Sequence, residues 1–283
     1  MFWKFSRRFF LTQFLLVGAN QCKSLIKPAG ELVIGAISYD EGEQTIQQYD
    51  RLSHYLGKNL KTHITLEPVR NETTALERIQ NRDWSMVFAP PGVAAIAIAD
   101  HQYTPILPLQ GIGDLRSILV IRRDHPIQDI HQLSNQQVAL GQPGSAVGYY
   151  IPLYNLYGLV LAQILFAPTP DMVLEWVQQG KAIAGAVSLS DLNSKQPENR
   201  AKFRVLFTDP HHLPAGVILI SSTLDANYQD HIRRLLVEAP MEILQDVGYV
   251  PNAPVPDYQY MITVVKRVQK IANRLHEKPV RLF

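Results

Sequence analysis

The residues best placed to do chemistry lie in one run, Val138-Ala139-Leu140-Gly141-Gln142-Pro143-Gly144-Ser145-Ala146-Val147-Gly148-Tyr149-Tyr150-Ile151-Pro152. Strand-type residues end in a Gly-x-Pro-Gly turn, and the residues after it have helical spacing, with Tyr150, Leu153, Tyr154 and Tyr157 on one face. A helix starting there directs unpaired N–H groups and the positive end of its peptide dipoles outward, which suits an anion. The Ser145 hydroxyl could cap or donate, the N–H groups of Ala146, Val147 and Gly148 could bind oxygen, and Gly144 and Gly148 would admit a ligand close to the main chain. An ordinary capped helix after a tight turn has the same pattern, so the run alone does not establish a site.

Three further positions stand at the ends of strand-like stretches. Tyr39 follows the first and could stack on a ligand or hydrogen-bond it; Pro90, with Pro91, would shape a floor; Ser188 ends the run Ala182–Val187. Tyr149 sits one turn into the expected helix. Tyrosines bury large areas, so plain packing is the competing account for both tyrosines. Catalytic patterns are weak. His211 and His212 are adjacent and would point to opposite faces of an extended chain, and no spaced Asp/Glu/His cluster suggests a metal. Asp40, Glu41 and Glu43 read as a polar turn, and the nucleophile pattern G-x-S-x-G is absent. No enzyme activity, metal or cofactor is expected.

The elements that must hold these residues alternate. Leu32–Ile37 opens as a strand; Ile46, Tyr49, Leu52, Leu56 and Leu60 share a helix face; Ile64–Val69 alternates as a strand. Asn71 reads as the cap of a helix through Ala75 and Ile79, Trp84–Ala89 as a strand, and Val93–Ala99 as a tightly packed helix of small residues. A second group of strands begins at Ser117–Ile121 and continues through Val138–Leu140, Ala162–Phe166, Ala182–Val187 and Val205–Phe207. A last strand at Val217–Ser221 precedes two helices, the final one through Met261, Val265 and Leu275. Such alternation gives an α/β fold with largely parallel sheets. Two groups of strands give two lobes, 30–112 with 213–283 and 116–208, joined by crossovers at 110–115 and 208–215.

Residues 1–24 read as an export signal. Lys4, Arg7 and Arg8 are the only charges before Lys23, and an apolar stretch to Leu16 ends in Val17-Gly18-Ala19. The Ser6-Arg7-Arg8-Phe9-Phe10-Leu11 run is of the twin-arginine type. Cleavage after Ala19 and lipid attachment at Cys22 both fit. Phe9–Ala19 is too short to span a bilayer, which requires roughly 20 apolar residues. The 283 residues carry a net charge of +2, too weak a field to suggest nucleic acid, and a single cysteine allows no internal disulfide. A periplasmic, monomeric protein is expected.

The Pro143–Pro152 stretch resembles the D-P-x-S-T-S-G-[FY]-x-x-P run of phosphonate/phosphite-type solute-binding proteins of bacterial ABC transporters, matching it at Pro143, Ser145, Gly148, Tyr149 and Pro152. Leu32–Gly35, Tyr49–Leu56, Trp84–Pro90, Ser117–Ile127 and Ile130–Leu133 are similar to that family's other motifs, in order. The resemblance implies a type 2 periplasmic binding-protein fold whose two lobes close on a small ligand, and an inner-membrane permease as partner. The departures fall on the pocket. Ala146 and Val147 replace two hydroxyl residues; Ser85, Thr169, Ile183 and Ser188 stand where the family often has acids or a histidine. Loss of acids disfavours a cationic aminophosphonate. A small oxyanion or related organic solute is expected, with a ligand-sensing receptor, or less readily an enzyme on the same scaffold, as the alternatives.

Overall fold

Each sheet has one strand running against all the others, and the reason is where the chain crosses between lobes. The structure, a computed structural model, describes residues 30–37, 42–111 and 115–283. The expected export signal, Ala19, Cys22 and Tyr39 lie outside those residues. In the first lobe β1 (Glu31–Ile37), β2 (His63–Val69), β3 (Met86–Ala89) and β4 (Tyr103–Pro108) are linked by α1 (Gly42–Leu60), α2 (Glu72–Gln80) and α3 (Pro91–His101). The second lobe contains β5 (Ser117–Arg122), β6 (Gln137–Leu140), a π-helical turn (Ala146–Tyr150) running into α4 (Ile151–Asn155), then β7 (Val160–Leu161) and β8 (Gln163–Phe166). It continues with α5 (Pro170–Gln178), β9 (Ala184–Ser188), α6 (Leu189–Asn193), α7 (Pro197–Arg200) and β10 (Phe203–Thr208). The chain then returns through β11 (Val217–Ser221), α8 (Ala226–Val237), α9 (Met241–Val247), α10 (Gln259–Gln269) and β12 (Val280–Arg281).

The strand orders are β2-β1-β3-β11-β4 and β10-β5-β9-β6-β8. β1 pairs in parallel with β2 and β3, whereas β11 is antiparallel to β3 and β4. In the second sheet β6 pairs in parallel with β8 and β9, and β5 is antiparallel to β9 and β10. Both sheets are therefore mixed in pairing, while four of the five strands in each run the same way, as mainly parallel sheets do. A chain leaving the carboxyl edge of one sheet enters the next at that sheet's carboxyl edge, so its first strand must run away from the cleft. Hence Ser117 opens β5 opposite Ser188, the last residue of β9, and Val217 opens β11 opposite Ala89, the last of β3.

Local signals place the helices. Asn71 Oδ1 accepts the Thr74 N–H at 2.8 Å, the expected cap of α2. On α1 the side chains of Tyr49, Leu52 and Leu56 are buried, while Ile46, expected on that face, is 50% exposed. α3 is buried all round from Pro91 to Ala97, and its small residues let α2, α10 and the π-helical turn approach it. One apolar cluster consequently runs through both lobes, joining Ala89, Val93 and Leu219 to Leu119, Val138 and Tyr149. The outer faces have cores of their own, Ile34, Leu52 and Phe88 on one side and Val120, Ala139 and Val173 on the other. The C-terminal arm bridges the lobes: α10 touches α3 and α4, and β12 pairs with β7.

The crossovers are laced to each other. Asp209 donates its N–H to Ser117 O at 2.9 Å, Leu213 donates to Leu115 O at 3.0 Å, and Arg116 meets His212 Nε2 at 2.8 Å. The Asp209 carboxylate, 1% exposed, accepts from Asn155 Nδ2 at 2.8 Å, from the His211 N–H at 2.9 Å, and lies 3.0 Å from His211 Nδ1. His211 stacks on Tyr260 of α10 at 3.8 Å. The two histidines face different partners, as adjacent extended residues must. Asp209→Ala leaves the Asn155 amide and the His211 N–H without their acceptor, at about 1–3 kcal/mol. Thermal unfolding should shift down by several degrees; an unchanged midpoint would show that this carboxylate does not hold the crossover.

Candidate functional site

The carboxyl edges of the two sheets face each other, the position at which open α/β sheets bind ligands. From the first lobe come the ends of β1 and β3, followed by Pro90 and Pro91. Pro90 is extended (φ −67°, ψ 164°) and caps α3 without a side-chain hydrogen bond, and Pro91 occupies the first helical position. From the second lobe come the turn after β6 and the end of β9.

The turn after β6 folds as its residue types dictate. Gly144 takes φ +105°, a conformation that L side chains rarely adopt. Ser145 then caps the π-helical turn, its Oγ accepting the Gly148 N–H at 3.1 Å and its carbonyl accepting the N–H groups of Tyr149 at 3.2 Å and Tyr150 at 3.1 Å. Gly141 donates to Gly148 O at 2.8 Å, and Ser117 Oγ donates to Val147 O at 2.6 Å, tying the turn to β5. Ser145 and Val147 are half-buried; Ala146, Gly148 and Tyr149 are buried. The Ser145 hydroxyl keeps its proton to donate, and Ala146 and Val147, as the first residues of the turn, have no intrahelical acceptor for their N–H groups.

The other expected residues divide. Tyr149 turns its ring toward Tyr150 (4.9 Å, edge-on) and Phe166 (5.8 Å), and burial pushes its phenol up to about 12. Ser188 is 2% exposed and caps α6, its Oγ donating to Asp191 Oδ2 at 2.6 Å and lying 2.8 Å from Ser190 Oγ. Thr169 caps α5, and Ser85 is buried ahead of β3, at the opposite end from Pro90. Pro90 directly follows β3 and lines the recess described below.

The residues that sequence reasoning missed are those of the first lobe that meet the turn. Gly92, in the first turn of α3, packs main chain to main chain on it: a methyl group at position 92 would overlap Gly144 O and stand 2.8 Å from Ala146 N. The open side of Gly144 is filled by Glu72 of α2, and Thr73 Oγ1 donates to Pro143 O at 3.4 Å. It is thus the facing lobe, and not open space, that lies against Gly144. The available signal was a glycine in the first turn of a helix, followed by an unbroken run of Ala, Val and Ile to Ala99, a local cost that a close approach explains.

Beside this contact lies a recess of about 240 Å³. Ile37, Phe88, Pro90 and Pro91 line it from the strand ends, with Tyr49 beside them. Leu109, Gln110, Leu115 and Ala215 line it from the crossovers. The Tyr49 ring meets Phe88 edge-on at 4.8 Å, and desolvation raises its phenol pKa. Among the described residues no group of three or more His, Cys, Asp and Glu is placed to hold a metal, and no helix is long and apolar enough to cross a membrane.

A family model described as the periplasmic substrate-binding protein of a phosphonate ABC transporter matches residues 34–260. No curated protein matches the chain by sequence. Among solved structures, XAC2383 of Xanthomonas citri, bound to chloride, is similar with a TM-score of 0.72 at 19% identity, over 85% of this chain and 99% of that one. PhnD1 of Prochlorococcus marinus, in complex with methylphosphonate, has a TM-score of 0.64 at 16% identity, over 86% and 99%. The aliphatic sulphonate binding protein SsuA of Escherichia coli has a TM-score of 0.51 at 14% identity, over 90% and 94%. At these identities the likeness shows the fold.

The contact at Gly92 generates a prediction about closure. Gly92→Ala inserts a methyl between two main chains and should hold the lobes apart. With overpacking at roughly 1–3 kcal/mol, ligand affinity should fall roughly tenfold or more. Unfolding of the unliganded protein should change little, because alanine suits the helix. Calorimetric titration checks this, and an affinity equal to that of the parent protein would contradict it.

Proposed function

The chain belongs to the periplasmic substrate-binding proteins of phosphonate-type ABC transporters, and from that premise we propose that it captures a small oxyanion of phosphonate type between its lobes and yields it unchanged to an inner-membrane permease. The observation that carries the reading is the meeting of the two carboxyl edges at the turn 143–147, where donors of the second lobe face the first. Ser145 supplies its hydroxyl proton and Ala146 and Val147 their N–H groups to the oxygens. Gly148 supports them indirectly, since its N–H is spent on fixing the Ser145 hydroxyl. Tyr149 and Ser188 brace the turn and the neighbouring strand, Pro90 contributes from the other lobe, and Tyr39, which follows the first strand in sequence, is assigned a hydrogen bond to the ligand or a stack on it. The methylphosphonate complex of PhnD1 and the sulphonate-binding SsuA, both of this fold, support the ligand class.

Ligand access requires the Gly92–Gly144 contact to part. The crossovers at 110–115 and 208–215 are the pivot between lobe 30–112 with 213–283 and lobe 116–208, and the C-terminal arm limits their swing. The protein is exported as a monomer on the signal in residues 1–24, by the twin-arginine route, and is released after Ala19 or held by lipid at Cys22. It has no cofactor and turns nothing over.

Thermal unfolding in the presence of methylphosphonate, phosphite, phosphate and methanesulphonate tests the reading. A ligand at a hundredfold excess over its Kd stabilises by about 2.7 kcal/mol, which at this chain length raises the midpoint by roughly 5–10 °C. The responding oxyanion should be recovered intact. If all four leave the midpoint where it was, the ligand class is wrong; if one is consumed, the carrier reading is.

A further inference from the structure

We propose that the ligand carries an apolar organic group of about three to five carbons on its oxyanion, and that this group lies in the recess between Ile37, Phe88, Pro90 and Leu115. The inference rests on the oxyanion reading above and narrows it. The recess and the donor turn share no lining residue but are linked through chain neighbours: Pro91 lines the recess and the adjacent Gly92 touches Gly144, while Leu115 lines it and Ser117, two residues on, is bonded to Val147 O. A ligand held by the turn would extend its organic group past Pro91 or Leu115 into the recess.

The lining does not suit a bare anion. Among the described residues that form the recess none is charged, and Tyr49 and Gln110 alone bring polar side-chain groups. Proline has no N–H, so Pro90 and Pro91 remove two main-chain donors at the start of α3, where an anion held by this lobe would look for them. An oxyanion pressed against these side chains would lose hydration without replacement, at a cost of several kcal/mol on transfer scales; an alkyl or small ring would gain from the same burial.

Size agrees. At roughly 30 Å³ per water of liquid, 240 Å³ holds about eight non-hydrogen atoms. Methylphosphonate, one carbon on a phosphorus with three oxygens, places a single methyl there and leaves most of the space unused. A butyl group, with four carbons, takes up about half of it.

The test is calorimetric titration of the purified protein with methyl-, ethyl-, propyl- and n-butylphosphonate, and of its Ala215→Leu variant, whose larger side chain occupies part of the recess. Affinity should rise roughly fourfold per methylene, about sixtyfold from methyl to butyl, and the variant should prefer a shorter chain than the parent. Methylphosphonate binding as tightly as, or more tightly than, n-butylphosphonate would overturn this inference and leave the oxyanion reading standing. A gain with chain length that Ala215→Leu does not alter would place the alkyl group elsewhere and overturn it too. Failure of every phosphonate to bind would overturn both.

Discussion

Two glycines from opposite lobes set how closely the halves of this protein approach. Between α3 and the turn after β6 there is no intervening side chain: Gly92 lies on Gly144 O and Ala146 N, and Glu72 fills the space beside Gly144. Any Cβ at 92 would act as a spacer, and any side chain at 144 would also strain a left-handed backbone (φ +105°). The donors of Ser145, Ala146 and Val147 are thus presented next to another main chain. The low-polarity recess lies next along the chain, lined by Pro91, the neighbour of Gly92. Closure and donor placement are one geometric fact.

That contact is usable because the chain topology puts both sheet edges opposite each other. The reversed strands β5 and β11 each begin at the cleft, paired with the last residues of β9 and β3. Their approach segments are stitched together by Asp209, Leu213 and the Arg116–His212 pair. The buried Asp209 carboxylate, shared between the second crossover and Asn155 of α4, makes that crossover a defined element rather than a slack tether. α10 and β12 then reach from the first lobe's return segment onto the second. A pivot so tied favours rotation of intact lobes over local melting.

Much of this was legible in the residues because local physics determined it. The alternation of strand and helix, the Asn71 cap, the small-residue helix from Val93, and the Gly-rich turn with Ser145 as its cap all follow from short-range rules and reappear in the structure. The motifs of Pro143–Pro152 and of Trp84–Pro90 were enough to indicate the family. What was not legible depends on pairs distant in sequence. The reversal of β5 and β11 is decided by which sheet edge the crossover reaches, and strand composition does not record direction. The orientation of Tyr149 toward Phe166 and the commitment of Ser188 to Asp191 depend on neighbours a motif does not name. Gly144 looked like space for a ligand, and the structure assigns that space to the other lobe. The recess draws on five separated segments, none of which is informative alone.

The central claim is that two lobes open and close as bodies across the Gly92–Gly144 contact in response to ligand. Distance distributions between spin labels on Glu77→Cys of α2 and Glu175→Cys of α5, with Cys22 replaced by serine, test it most directly. The account predicts a broader or longer distribution without ligand that collapses to one short distance when an alkylphosphonate is bound. A single distance, identical with and without a ligand shown by calorimetry to bind, would contradict it.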